Sequence, residues 1–259
     1  MNLELNDKLV FISGSSSGIG KSIADAFLQE KAKVILSGKN EVKLSQTLQE
    51  FQKKFGEDSV FSFCGDFTQD VAIDKCFEFI AAKCGGLDIF VSNLGSGAGR
   101  TEWNVDDEEW HRLFDLNFSV ARKLTTRLVP LIQKKESGVV IYISSIAGKE
   151  ILGAPIHYSV AKASLNAYAK NLAQKLASLN IRVNTVCPGN ILFKDGTWDK
   201  KLAENRNAVE KMLESKVPQK RFGKPEEVAY LVVFLSSNRA AFITGESIVI
   251  DGGQLNHLC

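Results

Sequence analysis

The sequence is poor in the residues that build metal sites and disulfide frameworks. Its 259 residues include three histidines and five cysteines, and no two cysteines have Cys-x-x-Cys spacing. An odd number of cysteines without that spacing indicates neither a disulfide framework nor a zinc site. We therefore expect no metal, and a reducing compartment, which points to a cytoplasmic protein.

Long apolar runs and a strong charge of either sign are also lacking. The longest apolar block, 228–235, is much shorter than the roughly 20 residues of a membrane-spanning helix. The first residues show no basic segment followed by an apolar one, as a signal peptide would. The net charge of +2 gives no reason to expect nucleic acid or a membrane as a partner.

What the sequence does contain is a regular alternation of short apolar runs and amphipathic segments. The apolar runs read as seven buried strands at 8–13, 33–37, 59–64, 87–92, 139–143, 181–186 and 247–250. Helical patterns separate them, including a long one over about 106–133. This alternation predicts an α/β protein with a Rossmann-like, doubly wound, seven-stranded parallel sheet and helices on both faces. We expect residues 1–259 to form a single domain.

The first strand runs into a glycine-rich loop, Gly14-Ser15-Ser16-Ser17-Gly18-Ile19-Gly20, and then into a helix. Glycines at such a junction let the backbone approach a pyrophosphate, and the helix dipole attracts its negative charge. We therefore predict a dinucleotide-binding domain. The predicted contacts in this loop are Gly14, Ser16, Ser17, Gly18, Ile19 and Gly20.

The same loop also matches Gly-x-Ser-x-Gly, the turn that presents the nucleophilic serine of α/β-hydrolases. In those enzymes the turn usually follows several strands, whereas here it follows the first. A hydrolase also needs a histidine, and the available ones are His111, His157 and His257. The hydrolase is the weaker interpretation.

The residues after the second strand bear on which dinucleotide binds. An acidic side chain there would bond the ribose 2′-hydroxyl of NAD, while a basic one can pair with the 2′-phosphate of NADP. Gly38 leaves space and Lys39 supplies a positive charge. Asn40 is predicted to cap the next helix, with Glu41 in its first turn. The pattern favours NADP(H) over NAD(H), although Lys39 also fits a solvated loop residue.

Tyr158 and Lys162 are four residues apart in a predicted helix, so their side chains lie on one face. Lowering a tyrosine pKa from about 10 by roughly 3 units takes about 4 kcal/mol, which a close, partly desolvated cation can supply. Such a tyrosine could donate and accept protons at neutral pH. Chance gives this spacing in roughly a third of comparable sequences, so the pair needs support from elsewhere in the chain.

That support comes from a resemblance over essentially the whole length to the short-chain dehydrogenase/reductase family. Its motifs appear as the loop that starts at Ser13-Gly14, Asp66, Ser92-Asn93-Leu94-Gly95, Asn117, Ser145, Tyr158 with Lys162, and Pro188-Gly189. The resemblance implies that Asn117, Ser145, Tyr158 and Lys162 are catalytic. Ser145 is preferred to Ser144 because it has the usual family spacing before Tyr158. The further cofactor contacts that we expect are Lys39, Asp66, Phe67, Asn93, Gly95, Tyr158, Lys162, Pro188, Gly189 and Ile191.

The implied activity is hydride transfer between NADP(H) and a carbonyl or secondary alcohol, with Tyr158 as general acid and base. Ser145 would hold the substrate oxygen by a hydrogen bond that strengthens as charge develops. Lys162 would bond the nicotinamide ribose and lower the Tyr158 pKa. Asn117 would hold a water molecule that connects Lys162 to solvent.

One position departs from the family pattern. Phe193 stands where the family often has a threonine that contacts the nicotinamide carboxamide, so the backbone near Ile191 would have to make that contact. From 191 to 222 the pattern loosens into one or two amphipathic helices, which fits a substrate lid or a solvated surface. The segments expected to shape the pocket, 94–103, 146–156 and 191–198, are mostly apolar and favour a neutral or partly apolar carbonyl compound.

Two other functions stay open. A 3-oxoacyl-carrier-protein reductase is a common member of the family, but its carrier-docking surface typically bears arginine at the positions of Glu136 and Leu179. A non-catalytic NADP-sensing regulator would keep the dinucleotide site but would not need the four catalytic residues. The family's habit of pairing the helices that contain Asp106 and Tyr158 implies a homotetramer, or a homodimer.

Overall fold

A computed structural model describes residues 2–256, and a seven-stranded sheet forms its centre. The strands are β1 (Leu9–Ser13), β2 (Lys33–Gly38), β3 (Val60–Cys64), β4 (Ile89–Ser92), β5 (Gly138–Ile143), β6 (Ile181–Pro188) and β7 (Ser247–Ile250). Their order is β3-β2-β1-β4-β5-β6-β7, and every neighbouring pair is parallel. The predicted α/β fold is confirmed.

Helices connect the strands. They are α1 (Gly18–Gln29), α2 (Glu41–Phe55), α3 (Asp70–Cys84), α4 (Asp107–Phe114), α5 (Val120–Ile132), α6 (Ile156–Leu176), α7 (Thr197–Lys216) and α8 (Pro225–Ser236). As predicted, Asn40 caps α2, because its side chain accepts a hydrogen bond from the Lys43 amide at 2.9 Å. The long helix expected over 106–133 is instead α4 and α5, joined by a π-helical turn over Asp115–Ser119.

Both faces of the sheet are covered by apolar side chains, which explains why the strands read as continuous apolar runs. Because side chains alternate along a strand, Val10 and Ile12 pack with α1, α2 and α8, whereas Leu9 and Phe11 pack with α3, α5 and α6. Between residues 2 and 256, no helix is both long and apolar enough to cross a bilayer.

The strand order places a crevice at the carboxyl edge of the sheet. The chain builds outward from β1 in one direction and then resumes with β4 on the other side of β1. At such a switch point the connections leave on opposite faces, and ligands of doubly wound folds bind there. Ser13 and Ser92 are paired at the last positions of β1 and β4, so the loops that follow these strands start side by side.

Candidate active site

A cavity of about 1490 Å³ opens at this edge of the sheet. Among the predicted residues, those that line it are Ser145, Tyr158 and Lys162 together with Gly14, Ser17, Ile19, Asn93, Gly95, Pro188, Gly189 and Ile191. The predicted residues that lie outside its lining are Ser16, Gly18, Gly20, Lys39, Asp66, Phe67 and Asn117. The structure thus brings most of the proposed catalytic and cofactor-binding groups to one place.

The glycine loop after β1 has the geometry that a phosphate cradle requires. Gly14 and Gly18 have φ angles of +70° and +56°, which L side chains rarely adopt. A Cβ on Gly20 would lie 2.3 Å from the Gly14 carbonyl oxygen, so only glycine fits there. Ser17 precedes α1 and makes no side-chain capping bond, so its side chain does not compete with an anion for the first-turn amides.

The loop after β4 is tied to the glycine loop. The Asn93 carboxamide donates to the carbonyl oxygens of Gly14 at 2.7 Å and of Ser13 at 3.2 Å. The Ser13 hydroxyl accepts from the backbone amides of Asn93 at 3.1 Å and Leu94 at 3.3 Å. Serine in place of the family's threonine therefore keeps a hydroxyl that joins the two loops.

Asn117 lies in the π-helical turn and is 1% exposed. Its Oδ1 accepts from the Ser96 amide at 3.1 Å, and its Nδ2 donates to the Ser96 carbonyl at 2.9 Å and to the Leu113 carbonyl at 2.9 Å. These three hydrogen bonds satisfy the polar atoms of a side chain that is buried on an otherwise apolar helix face. A Cβ on Gly95 would lie 2.7 Å from Asn117 Oδ1 and 3.0 Å from Lys162 Nζ, so Gly95 lets both side chains approach the loop.

Two residues of α4 that the sequence did not single out hold the same loop further along. The Arg112 guanidinium donates to the Ala98 carbonyl at 3.1 Å, and the Glu109 carboxylate accepts from the Arg100 amide at 3.3 Å. Arg112 and Glu109 are joined by two hydrogen bonds of 2.7 and 2.9 Å. The hydrogen bond from Arg112 is the main reason that the pKa of Glu109 falls to about 2. In the sequence, only the i,i+3 spacing of Glu109 and Arg112 indicated that these two side chains could pair.

His157, which precedes Tyr158, is fully buried behind this loop. Its Nε2 is 3.6 Å from Glu109 Oε1, and its ring packs on Trp110 at a centroid distance of 5.8 Å. Ser16 lies elsewhere, beside Gly38, so these two residues do not form the serine–histidine pair of a hydrolase. His257 and Cys259 lie outside the described residues.

Lys162 is buried and Tyr158 is half-buried, and desolvation is the main influence on the pKa values of both. Lys162 is 3% exposed, and its Nζ donates to the Ile143 carbonyl at 3.0 Å and lies 5.8 Å from the centroid of the Tyr158 ring. Burial lowers the pKa of Lys162 to about 8. Burial also raises the pKa of Tyr158, and the side chain of Ser145 partly offsets this. The net shift of the Tyr158 pKa is upward because desolvation of the phenol dominates, and the expected lowering by Lys162 stays a prediction.

The two adjacent serines differ in what their hydroxyls contact. Ser144 is buried, and its hydroxyl donates to the Lys162 carbonyl at 3.2 Å. Ser145 lines the cavity, and its hydroxyl accepts from the Ala147 amide at 3.1 Å. Ser145 is thus the one whose hydroxyl is available to a substrate, while Ser144 fastens β5 to α6.

The residues predicted for the adenosine end lie at the ends of β2 and β3. Lys39 Nζ is 3.8 Å from Asp66 Oδ2, and both side chains are exposed. Hydrogen bonds from Thr68, chiefly from its hydroxyl at 2.8 Å, hold the pKa of Asp66 below its usual range. Phe67 is buried, and its ring packs edge-on against Phe11 at 6.1 Å. Its predicted contact with the cofactor therefore has no exposed surface to support it in this structure.

The far wall of the cavity is more polar than the sequence indicated. The three expected segments do line it, but α7 and the C-terminal segment add charged and amide groups, namely Lys200, Lys201, Glu204, Glu214, Lys216, Gln254 and Asn256. Asn190 joins the two parts, because its Nδ2 donates to Gln254 Oε1 at 3.0 Å. Apolar surface still makes up the larger part of the lining, as expected, and these polar groups add to it at the far wall. Residues so far apart in sequence could not be assigned to one wall before the fold was known.

A glycine-rich loop at the switch point of a doubly wound sheet, facing a serine, a tyrosine and a lysine in one cavity, defines an NAD(P)-dependent oxidoreductase. Residues 14–254 match a family model described as enoyl-(acyl carrier protein) reductase. The chain belongs to the short-chain dehydrogenase/reductase family.

Proteins of known sequence and known structure are similar to this chain over nearly its whole length. The 3-oxoacyl-[acyl-carrier-protein] reductase FabG of Thermotoga maritima is 34% identical over 253 residues, which cover 97% of this chain and 99% of FabG. The L-sorbose reductase of Gluconobacter frateurii, solved with NADPH and L-sorbose, has a TM-score of 0.94 at 33% identity and 100% coverage of both chains. A 7α-hydroxysteroid dehydrogenase solved with NADH has a TM-score of 0.89 at 28% identity, covering 100% of this chain and 98% of the other.

Proposed function

We propose that this protein transfers a hydride between NADP(H) and the carbonyl or secondary alcohol group of a small molecule. The observation that carries the proposal is the convergence of Ser145, Tyr158 and Lys162 on the cavity that the glycine loop also lines. The loop fits a dinucleotide, since Gly14, Gly18 and Gly20 leave the backbone open at the start of α1. The bound nicotinamide would supply or accept the hydride.

The protein's own residues would handle the oxygen and the proton. Ser145 would donate a hydrogen bond to the substrate oxygen, and that bond would strengthen as negative charge develops there. Tyr158 would give its proton to the same oxygen. Because burial raises the pKa of Tyr158, the phenol is protonated at neutral pH, which is the state that a reduction needs. Lys162 would bond the nicotinamide ribose, and Asn117, by holding Ser96, would keep the loop wall against Lys162.

The preference for NADP(H) rests on Lys39 and Gly38. Lys39 is exposed at the end of β2, where a 2′-phosphate would find a cation, and its pairing with Asp66 would be exchanged for that phosphate. The Ser16 hydroxyl lies beside Gly38 and would donate to the same phosphate. Neighbours solved with NADPH favour this assignment, and the neighbour solved with NADH keeps NAD(H) as the alternative.

The test is turnover by the wild type and by Tyr158→Phe with a panel of carbonyl compounds, followed by absorbance at the nicotinamide band. We expect the variant to lose at least about 1000-fold in kcat, since the proton donor is removed, while its affinity for NADPH stays nearly unchanged. Tyr230→Phe serves as the matched control, because Tyr230 is 61% exposed on α8 and lies outside the lining of the large cavity. Activity of Tyr158→Phe close to the wild type would refute the mechanism. NADPH binding without turnover of any carbonyl would favour the sensing regulator.

A 3-oxoacyl-carrier-protein reductase is the second candidate, because FabG proteins are among the relatives at 34% and 32% identity. The acidic Glu136 and the exposed apolar Leu179 stand where an acidic carrier would need cations. We therefore expect kcat/KM for a 3-oxoacyl group on the carrier to be no better than for the same group on a small thiol. A large advantage of the carrier-bound form would reverse this preference.

We also propose a homotetrameric assembly in the cytoplasm. The apolar side chains of Ile156 and Val160 are exposed on α6 at 45% and 41%, and a paired copy of the same helix would cover them. Sizing of the purified protein as a monomer at micromolar concentration would contradict this assembly.

A further inference from the structure

The residue that departs from the family pattern, Phe193, lies in a segment that crosses the mouth of the cavity. We call residues 191–196 the strap. At its start, the Leu192 amide donates to the Gly223 carbonyl at 3.0 Å, and the Gly223 amide donates to the Asn190 carbonyl at 2.9 Å. At its end, the Gly196 amide donates to the Phe193 carbonyl at 3.1 Å. The strap is thus a short turn anchored at one side, next to the carboxyl end of β6.

The Phe193 ring lies directly on the first residue of α1. A Cβ on Gly18 would be 2.7, 2.9 and 3.0 Å from three carbons of that ring. A Cβ on Gly196 would be 2.9 Å from the same ring. Phe193 is therefore held between two glycines, one in the phosphate cradle and one in the strap, and the contact depends on both lacking a side chain.

The other fastening of the strap is electrostatic and reaches α2. Asp195 lies in the left-handed region with φ of +63°, which turns its carboxylate toward Lys43, whose Nζ is 3.5 Å away. Both side chains are more than half exposed. Lys43 is in the first turn of α2, close in sequence to Lys39 at the predicted adenosine end of the cleft. The strap therefore runs from Ile191, at the predicted nicotinamide end, toward that adenosine end.

Phe193 also separates two spaces. It lines the large cavity, and it lines a second one of about 310 Å³ between α1, α2 and α8, which Phe51 and Ala229 also line. A ring that leaves Gly18 therefore has space to enter without repacking the core.

We propose that Phe193 is a positioning residue that closes the strap over the diphosphate section of the cofactor cleft, so that its contact with Gly18 sets the rate at which NADP(H) is released. In this role Phe193 makes an apolar contact with the glycine loop, and the carboxamide contact of the family's threonine is left to the backbone near Ile191. Lys43 and Asp195 add a weaker, salt-sensitive fastening. The proposal rests on the function proposed above.

The experiment measures NADPH release by stopped-flow displacement, followed by nucleotide fluorescence. Phe193→Ala and Phe193→Thr should release NADPH about tenfold faster than the wild type, whereas Phe193→Leu, which keeps apolar bulk, should stay within about threefold. Phe242→Ala removes a fully exposed ring far from the strap and is the matched control. Asp195→Asn should accelerate release about twofold at low salt and not at high salt.

A second readout does not depend on turnover. Hydrogen exchange of residues 191–216 should slow when NADPH binds to the wild type and should slow much less in Phe193→Ala, with both proteins showing the same thermal melt. Equal release rates for the wild type and Phe193→Ala, with tight binding by both, would overturn the role of Phe193 and leave the proposed function standing. Failure of the wild type to bind NADPH or NADH would overturn both.

Discussion

The two loops that border the cleft are held in different ways. The loop after β4, residues 93–100, is fixed by hydrogen bonds from side chains on three elements, which come from Ser13, Asn93, Glu109, Arg112 and Asn117. The strap after β6 is held to α1 and α2 by one ring contact and one exposed ion pair. The two loops therefore differ in the number and kind of contacts that hold them.

This difference indicates a division of labour. Gly97 of the first loop lies against the Tyr158 ring, since a Cβ there would be 3.6 Å from its carbons. If Tyr158 is the proton donor proposed above, a loop that touches it has to stay in place, because misplacement of a reacting group by about 1 Å can lower the rate about 100-fold. The strap contacts the glycine loop through Phe193, and exchange of a bound nucleotide would require this contact to open. A single ring contact and a solvent-exposed ion pair are weak enough to allow such opening.

The largest expected effect concerns Lys162, whose Nζ lies beside Gly95 in the loop after β4. Its pKa of about 8 in the folded chain is below the ordinary value of 10.5. Below pH 8 the ammonium is charged in both the folded and unfolded chains, and its burial destabilises the fold. Between pH 8 and 10.5 the folded chain has lost the proton and the unfolded chain has not, so the penalty disappears as pH rises.

The measurement compares urea unfolding of the wild type and Lys162→Met at pH 7, 8, 9 and 10. We expect the free energy of unfolding of the wild type, relative to the variant, to increase by about 3 kcal/mol over this range. Other titrating groups cancel in the difference. A difference that does not change with pH would mean that Lys162 is not desolvated in the native protein.

Gly20 tests how closely the glycine loop and the β4 loop must approach. In Gly20→Ala the new Cβ would overlap the Gly14 carbonyl oxygen at 2.3 Å and Asn93 Nδ2 at 2.5 Å, and we expect a loss of about 2 kcal/mol in stability and weakened NADPH binding. Gly97→Ala is the control, because its Cβ would make only ordinary contacts at 3.6 Å. Thermal melts with and without NADPH measure both effects. Equal melts for the two variants would show that the loops can separate freely.

The fold and part of the site could be predicted because they depend on local patterns. Apolar runs that are buried on both faces identify the strands, and the order strand, glycine loop, helix places the phosphate cradle at residues 14–20. The spacing of Tyr158 and Lys162 puts both side chains on one face of α6, and both line the cavity. Each of these inferences needs only the residues within a few turns of one another.

What the sequence could not predict depends on contacts between distant segments. The Glu109 and Arg112 side chains reach backbone atoms of residues 98–100, and no pattern along α4 indicates the course of that loop. The π-helical turn that orients Asn117 leaves no periodic signal that differs from a helix. The direction of the Tyr158 pKa shift is set by how deeply the fold buries the phenol, and the spacing of Tyr158 and Lys162 does not indicate that depth.

The smallest expected effect concerns the contacts by which Arg112 of α4 holds the loop after β4. Arg112→Met removes the hydrogen bond to the Ala98 carbonyl and the bidentate pair with Glu109. Because this pair is partly exposed, we expect a modest change, a rise of about fivefold in KM for the carbonyl substrate with kcat lowered less than twofold. Arg206→Met is the matched control, since Arg206 pairs with Glu210 on the exposed face of α7 at 3.3 Å and holds no loop. Steady-state kinetics at saturating NADPH separate the two variants. If both variants leave KM unchanged, the other hydrogen bonds are enough to hold the loop after β4 and the Arg112 contacts are incidental. If Arg112→Met instead lowers kcat with KM unchanged, the loop positions the Tyr158 ring and has little part in binding substrate.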